Sequence, residues 1–299
     1  MTFMTFTLPG SRFPVRVSAS AKVAVGPRRS ASRAGHVPFL VLGFVLSTTL
    51  AFAQAQQPAP GGRGQGGGRG GPGGPQAPAT GRAQAPYDIS GYWVAMVTDD
   101  WRYRMLTPPK GNADYLPVNA EARKMMDAWD PAKDEASGET CRGYGAGGIM
   151  RLPGRLHITW EDDNTMKMDI DTGTQTRRFV FGAEAPAGEP SWQGSSTARW
   201  MFPPGARGRG AERPQTGQLV VTTTRMRPGY LRKNGIPYSA NATLTEYYVR
   251  LVDDDGQEYL AVTTMVDDPQ YLAQPYIKTY EFKKQRDGTG WNPTMCVAK

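Results

Sequence analysis

Residues Ala242–Val252 and Gln257–Val266 flank the turn Asp253-Asp254-Asp255-Gly256, and both runs are rich in β-branched and aromatic side chains. Such a pair closes as a β-hairpin, and a hairpin of this length needs further strands to cover its apolar face. The rest of the chain supplies them. Ile89–Thr98 and Trp101–Leu106 read as strands on the same content. Leu156, Ile158 and Trp160 alternate with His157 and Thr159, and Glu161–Asn164 turns the chain into Thr165–Ile170, where Met166, Met168 and Ile170 share a face. Thr174–Phe181, Ser195–Phe202, Gln218–Arg227 and Tyr276–Lys284 continue the series. A single segment reads as a helix: Asn119 caps Ala120–Ala128, with Met125, Met126 and Trp129 as its apolar side and Pro131 ending it. Strands in sequence order without crossover helices imply antiparallel pairing. The expectation is an all-β, lipocalin-like up-and-down β-barrel or strongly curved sheet with one short helix. Closure favours the barrel because it removes exposed edges, and a two-sheet β-sandwich is the alternative.

Charge divides the 299-residue chain. No Asp, Glu or Trp precedes Tyr87, while nine of the 35 Lys and Arg do. The remaining 26 bases face all 27 acids, so the formal +8 belongs to the leader. A nucleic-acid-binding domain is excluded as the default, because that role needs positive charge clustered on the fold itself. Within the leader, a basic stretch with Arg12, Arg16, Lys22, Arg28 and Arg29 precedes an apolar run, Val37–Phe52, that ends in Ala51-Phe52-Ala53. That order is a secretory signal, expected over residues 1–53. The run is shorter than the roughly 20 residues a spanning helix needs, so no stable membrane span is expected after cleavage. Residues 54–86 hold 11 Gly and 6 Pro and read as a disordered tether. The β-domain is then residues 87–299, in a periplasmic or secreted protein.

Cys141 and Cys296 are an even pair in a chain expected to be exported, so a disulfide is expected. It would close a loop of about 155 residues, worth up to about 5 kcal/mol on chain entropy.

Four stretches form a recognisable set: Cys141–Pro153 (CRGYGAGGIMRLP), Ser191-Trp192-Gln193-Gly194, Met226–Ser239 (MRPGYLRKNGIPYS) and Val266–Pro275 (VDDPQYLAQP). On these residues the chain resembles a group of uncharacterised secreted bacterial proteins, common in soil bacteria, with an N-terminal signal and a β-rich, lipocalin-like body. The likeness spans about Asp88 to Cys296. It implies export and β architecture, and it implies no activity, because fold analogy does not license a ligand.

The residues able to do chemistry are few. His157 is the only histidine from Tyr87 onward; with Glu246 or Asp268 beside it, it would make an acid–base pair. One histidine and a paired cysteine couple lack the ligands for zinc or copper. The turns Glu161–Asp163 and Asp253–Asp255 lack the spacing of a calcium loop and read as solvated hairpin turns, so no metal is expected. No nucleophile elbow, phosphate-binding glycine loop or dinucleotide fingerprint is present, and no cofactor is expected. On a strand, Arg102 and Arg104 share one face while Trp101 and Tyr103 share the other. With Arg227 and Tyr230 they would hold a carboxylate or phosphate head group. Asp99, Asp100 or Glu246 would instead answer them within the protein. Trp160, Tyr238 and Tyr271 complete the aromatic set expected around a barrel mouth.

Three functions remain. The first is an exported barrel binding a small apolar or amphipathic molecule. The second is an enzyme on that scaffold doing proton transfer or hydration, isomerase- or hydratase-like, with His157, Glu246 or Asp268. The third is a structural or interaction protein of the cell envelope. Convergence of His157 with a buried carboxylate would favour the enzyme, an apolar cavity the binder, and a filled interior the interaction protein.

Overall fold

The structure, a computed structural model, describes residues 79–98, 100–182, 188–204 and 216–299. The expected signal (1–53), residues 54–78 of the expected tether (54–86) and Asp99 lie outside the described residues. Among the described residues, no helix is long and apolar enough to cross a membrane.

Nine strands close a barrel: β1 (Gly91–Met96), β2 (Arg155–Trp160), β3 (Thr165–Ile170), β4 (Gln175–Phe181), β5 (Ser195–Met201), β6 (Gln218–Thr224), β9 (Thr243–Val252), β10 (Glu258–Asp267) and β11 (Tyr276–Gln285). Closure is made by β1, whose Trp93 lies opposite Leu156 of β2 on one side and Lys284 of β11 on the other. The barrel expected from sequence is therefore observed, and the sandwich is not. The pairing differs at one junction: β4 and β5 run parallel, over only three residue pairs from Phe179↔Ser196 to Phe181↔Ala198.

Side-chain alternation sorts the two faces as the sequence requires. Met166, Met168 and Ile170 point inward with Leu156, Ile158, Trp93, Phe179, Leu219, Tyr248, Leu260 and Phe282, all under 5% exposed. Each such side chain contributes about 1.5–3 kcal/mol by leaving water. These residues belong to one apolar cluster inside the barrel.

A cap covers one end. It combines α3 (Ala120–Ala128), α4 (Pro131–Ala136), a 3-10 turn (Thr140–Tyr144), α5 (Ala146–Ile149) and a small hairpin of β7 (Gly229–Arg232) with β8 (Ile236–Tyr238). Its own apolar cluster includes Met126, Met226, Leu231, Tyr238, Leu244, Val266 and Leu272. All four motif stretches of the sequence meet here. Ala146 N–H donates to Trp192 O at 2.9 Å, and Arg227 N–H to Ser191 O at 2.8 Å. The Asp268 carboxylate accepts from Ser239 N and Oγ at 2.7 and 2.8 Å. Cys141 and Cys296 are joined as expected, with Cα atoms 5.1 Å apart, which ties the C-terminal tail to the cap.

Two local expectations are corrected. Trp101–Arg104 is a single helical turn, α2, rather than a strand. Asp100 takes φ 63° and ends the extended run, and its carbonyl then accepts from Tyr103 and Arg104 N–H. α3 starts at Asn119, whose Oδ1 accepts from Ala122 N–H at 3.0 Å, but Met125 faces solvent and only Met126 and Ala122 are buried. Pro131, expected to end that helix, also opens α4, since its missing N–H costs nothing at a first helical position. A further one-turn helix, α1 (Gly81–Gln84), precedes β1.

Candidate functional site

The parallel seam between β4 and β5 is where the barrel wall opens. Before entering β5, the chain leaves β4 and bridges Ser191 to Met226, held by Arg225 O and Arg227 N–H. Gly194 makes this possible at φ +63°, because a Cβ there would lie 2.5 Å from Thr224 O and 2.8 Å from the Met226 side chain. The diverging strands leave a cleft of about 280 Å³ lined by Thr176, Arg177, Val180, Gln193, Ser195 and Ser196 among others.

Arg177, Ser196 and Gln193 are the buried members of that lining, at 1%, 4% and 9% exposed. β4 points Arg177 inward in the same parity as Phe179 and Phe181; β9 does the same to Glu246 between Leu244 and Tyr248. The two meet across the barrel, with both guanidinium Nη atoms on the two carboxylate oxygens, one at 2.9 Å. Arg177 Nη2 also donates to Thr223 Oγ1 at 3.1 Å, which shares a hydrogen bond with Ser196 Oγ at 2.8 Å. Burial opposes the Arg177 charge, but the Glu246 carboxylate outweighs it and the pKa is raised. Burial, then the Glu246 charge, push the Tyr248 hydroxyl well above its usual value. Gln193 Nε2 is fixed by Tyr144 O at 2.8 Å and Gln175 Oε1 at 3.0 Å.

Polar atoms are left over. Arg177 Nε, Gln193 Oε1 and the Tyr238 hydroxyl are buried with no hydrogen-bond partner, whereas the Tyr248 hydroxyl lies against the Glu246 carboxylate and the Arg177 guanidinium. Tyr238 reaches this layer from the cap, its hydroxyl packed where a Cβ on Gly145 or Gly229 would sit 2.0 or 2.6 Å away. Arg177 is close enough to lower the Tyr238 pKa, although burial dominates and raises it. Buried polar groups are satisfied in nearly all native structures, so this group marks a place for water or a ligand.

The acid–base pair expected around His157 is not formed. His157 faces outward on β2, stacked on Tyr92 at 4.0 Å and beside Trp291 at 6.2 Å. Burial lowers its pKa, opposed by Asp169. Glu246 points to the inside of the barrel, and Asp268 caps the Ser239 and Gln270 backbone in the cap. The period-two arrangement of Arg102 and Arg104 is also absent, because α2 is helical. Arg102 and Trp101 are exposed, whereas Arg104 is 4% exposed and donates to the carbonyls of Met96 and Arg151 under the Tyr280 ring. Arg227 lies elsewhere, 2.7 Å from Glu139 and over the Trp192 ring at 4.1 Å. Tyr230 donates to Asp134 Oδ2 at 2.8 Å, and Arg142 bonds both; burial pushes the Tyr230 pKa up to about 12. Tyr271 packs on the cap cluster. Trp160 sits at the far end of β2, against Phe181, beside a second cleft of about 400 Å³ with Arg82 and Tyr87. In the acidic turns, Glu161 pairs with Arg178, while Asp162 and Asp255 accept backbone N–H bonds. Among the described residues no three His, Cys, Asp or Glu side chains converge as a metal site needs.

Arg177, Gln193, Ser196, Thr223 and Tyr248 escaped the sequence reading. A signal existed: Arg177 and Glu246 are opposite charges at inward parity on two strands. Which strands face each other across the barrel is a matter of topology, and the parallel junction was not foreseen. Comparison with known proteins finds no matching family model, no matching curated protein and no matching solved structure.

Proposed function

We propose that this chain is an exported lipocalin-like binding protein whose ligand sits in the β4–β5 seam, over Arg177 and Gln193, and not along the barrel axis. The observation that carries this reading is the pair of unpartnered buried polar atoms in the lining of that cleft, Arg177 Nε and Gln193 Oε1. An apolar cluster is packed inside the barrel and the seam is lined by Thr, Arg, Gln and Ser side chains, so the ligand in this reading is polar, in place of the partly apolar one expected from an aromatic-lined interior. Its charge follows from the floor. Arg177 is neutralised by Glu246 and the rim Arg178 by Glu161, so no net field attracts an ion. The unpartnered groups of the lining are one donor and one acceptor, which suit a small uncharged molecule bearing hydroxyl or amide groups.

Two measurements test it. Native mass spectrometry of protein purified from its own periplasm reads out a retained ligand. Thermal shift against neutral polyols, small amides and fatty acids reads out class; at 100-fold excess over Kd a ligand adds about 2.7 kcal/mol. The reading expects a neutral polar compound to stabilise the protein and Gln193→Leu to abolish that response. Stabilisation by fatty acids alone, or a response indifferent to Gln193→Leu, would overturn it.

The interaction-protein reading draws support from the apolar cluster packed inside the barrel. The enzyme reading has none of its expected pairs in place.

A further inference from the structure

Four strongly exposed apolar side chains fall within fifteen residues on one rim of the barrel: Trp101 at 59%, Met105 at 53%, Leu106 at 58% and Tyr115 at 83%. The segment is inside-out. On the one-turn α2, Arg104 is buried while Trp101 and Met105, one turn apart, face solvent. This exposure is built, because buried side chains hold the backbone from below. Arg151 Nη1 donates to Tyr103 O at 2.8 Å, and Arg232 Nη2 to Asp114 O at 3.1 Å. Asn234 Nδ2 donates to the carbonyls of Pro109 and Asn112 at 3.0 and 2.8 Å. Tyr103 braces Tyr115 edge-on at 5.6 Å. The loop therefore cannot turn its apolar side chains inward without breaking buried hydrogen bonds.

Charge says what this rim meets. Arg102, on α2 itself, and Lys110, in the following loop, are exposed and form no ion pair among the described residues. Asp100 pairs with Lys278 at 3.2 Å, and the Asp114 carboxylate accepts from Tyr103 and Asn112 and answers the Arg102 charge. Arg151 and Arg232, which hold the rim from below, add positive charge and form no ion pair among the described residues. Trp and Tyr with Leu and Met, flanked by more Arg and Lys than acids, is the composition of a surface seated at a bilayer interface. The rings lie at head-group depth and the cations on anionic lipid. We infer that the rim formed by Trp101, Met105, Leu106 and Tyr115 docks peripherally on an anionic phospholipid surface.

The test uses the full chain carrying Leu106→Cys labelled with an environment-sensitive fluorophore, the native disulfide leaving only the new thiol to react. A second labelled variant, Lys283→Cys on β11, reports any attachment made by the leader alone. On phosphatidylglycerol-containing vesicles, the label at 106 should shift to the blue and be quenched by lipid-borne quencher, and the label at 283 should not. Adding Trp101→Ser and Met105→Ser should weaken the response at 106 by about tenfold or more. Equal responses at the two positions, an unchanged 106 label, or an equal response on pure phosphatidylcholine would each overturn the inference. A shift at 106 on raising protein concentration without lipid would overturn it in favour of a second copy of the chain.

Discussion

Replacing Glu246 by Gln strands the Arg177 guanidinium inside the barrel. Both side chains are fully buried and joined through two hydrogen bonds, so the bonded guanidinium edge and the carboxylate are kept from bulk water. Breaking such a pair costs about 3–5 kcal/mol, because the remaining charge is left desolvated without a counter-charge. In a domain of this size that lowers the Tm by about 6–20 °C. The two single changes should differ. Arg177 cannot shed its proton, but Glu246 left alone by Arg177→Met can take one up. A carboxyl whose folded pKa is raised contributes its stability below its unfolded pKa and loses it as pH rises. The Arg177→Met penalty should therefore shrink as pH falls from neutral toward about 4, while the Glu246→Gln penalty should not. Replacing both, as Arg177→Met with Glu246→Leu, should recover most of the loss. The assay is urea unfolding followed by tryptophan fluorescence with the disulfide intact. A Glu246→Gln cost under about 1 kcal/mol, the range of exposed pairs, would refute the argument, because it would mean that water solvates the pair.

Three further outcomes concern the disulfide, the cap and His157. Opening the disulfide as Cys141→Ser with Cys296→Ser should cost about 2–5 kcal/mol in the same unfolding assay, and an unchanged midpoint would show that the tail is held by its other contacts. Gly145→Ala should destabilise the cap, since its Cβ would meet the Tyr238 hydroxyl at 2.0 Å, and Tyr238→Phe should relieve much of that loss while costing little alone; equal damage with and without the hydroxyl would contradict this. By NMR, His157 should titrate below 6.5 and lower still in Asp169→Asn. Its small contribution to stability is complete above about pH 6.5 and lost as pH falls through the folded value, so a midpoint above 6.5 would be the wrong sign.

The alternation of Leu156, Ile158, Met166, Met168 and Ile170 was enough to place two strands and their inward face, because period-two burial is a local property. The cap helix was legible for the same reason, through Asn119 and its bond to Ala122. Trp101–Arg104 was not: aromatic content favours a strand, but Asp100 adopts a left-handed conformation that no neighbour in sequence dictates. That one residue turned a supposed row of arginines into a turn with Arg104 inside. The site was harder still. Each of the four motif stretches stood out in the sequence, yet their shared feature is that the fold gathers them at one end of the barrel. Arg177 and Glu246 are 69 positions apart, and their pairing depends on how β4 and β9 face each other once the barrel closes.

The central claim is that the seam cleft receives an uncharged polar ligand at the vacant donor of Arg177. The arginine Nε–H resonances in a nitrogen-15 correlation spectrum report it most directly, during titration with the polyol or amide that gives the largest thermal shift. The account predicts a saturable change at Arg177 Nε–H, while Arg151 Nε–H, also buried and unpartnered but held by Tyr103 O at the α2 rim, stays in place. A ligand that binds while leaving the Arg177 resonance unmoved would contradict it.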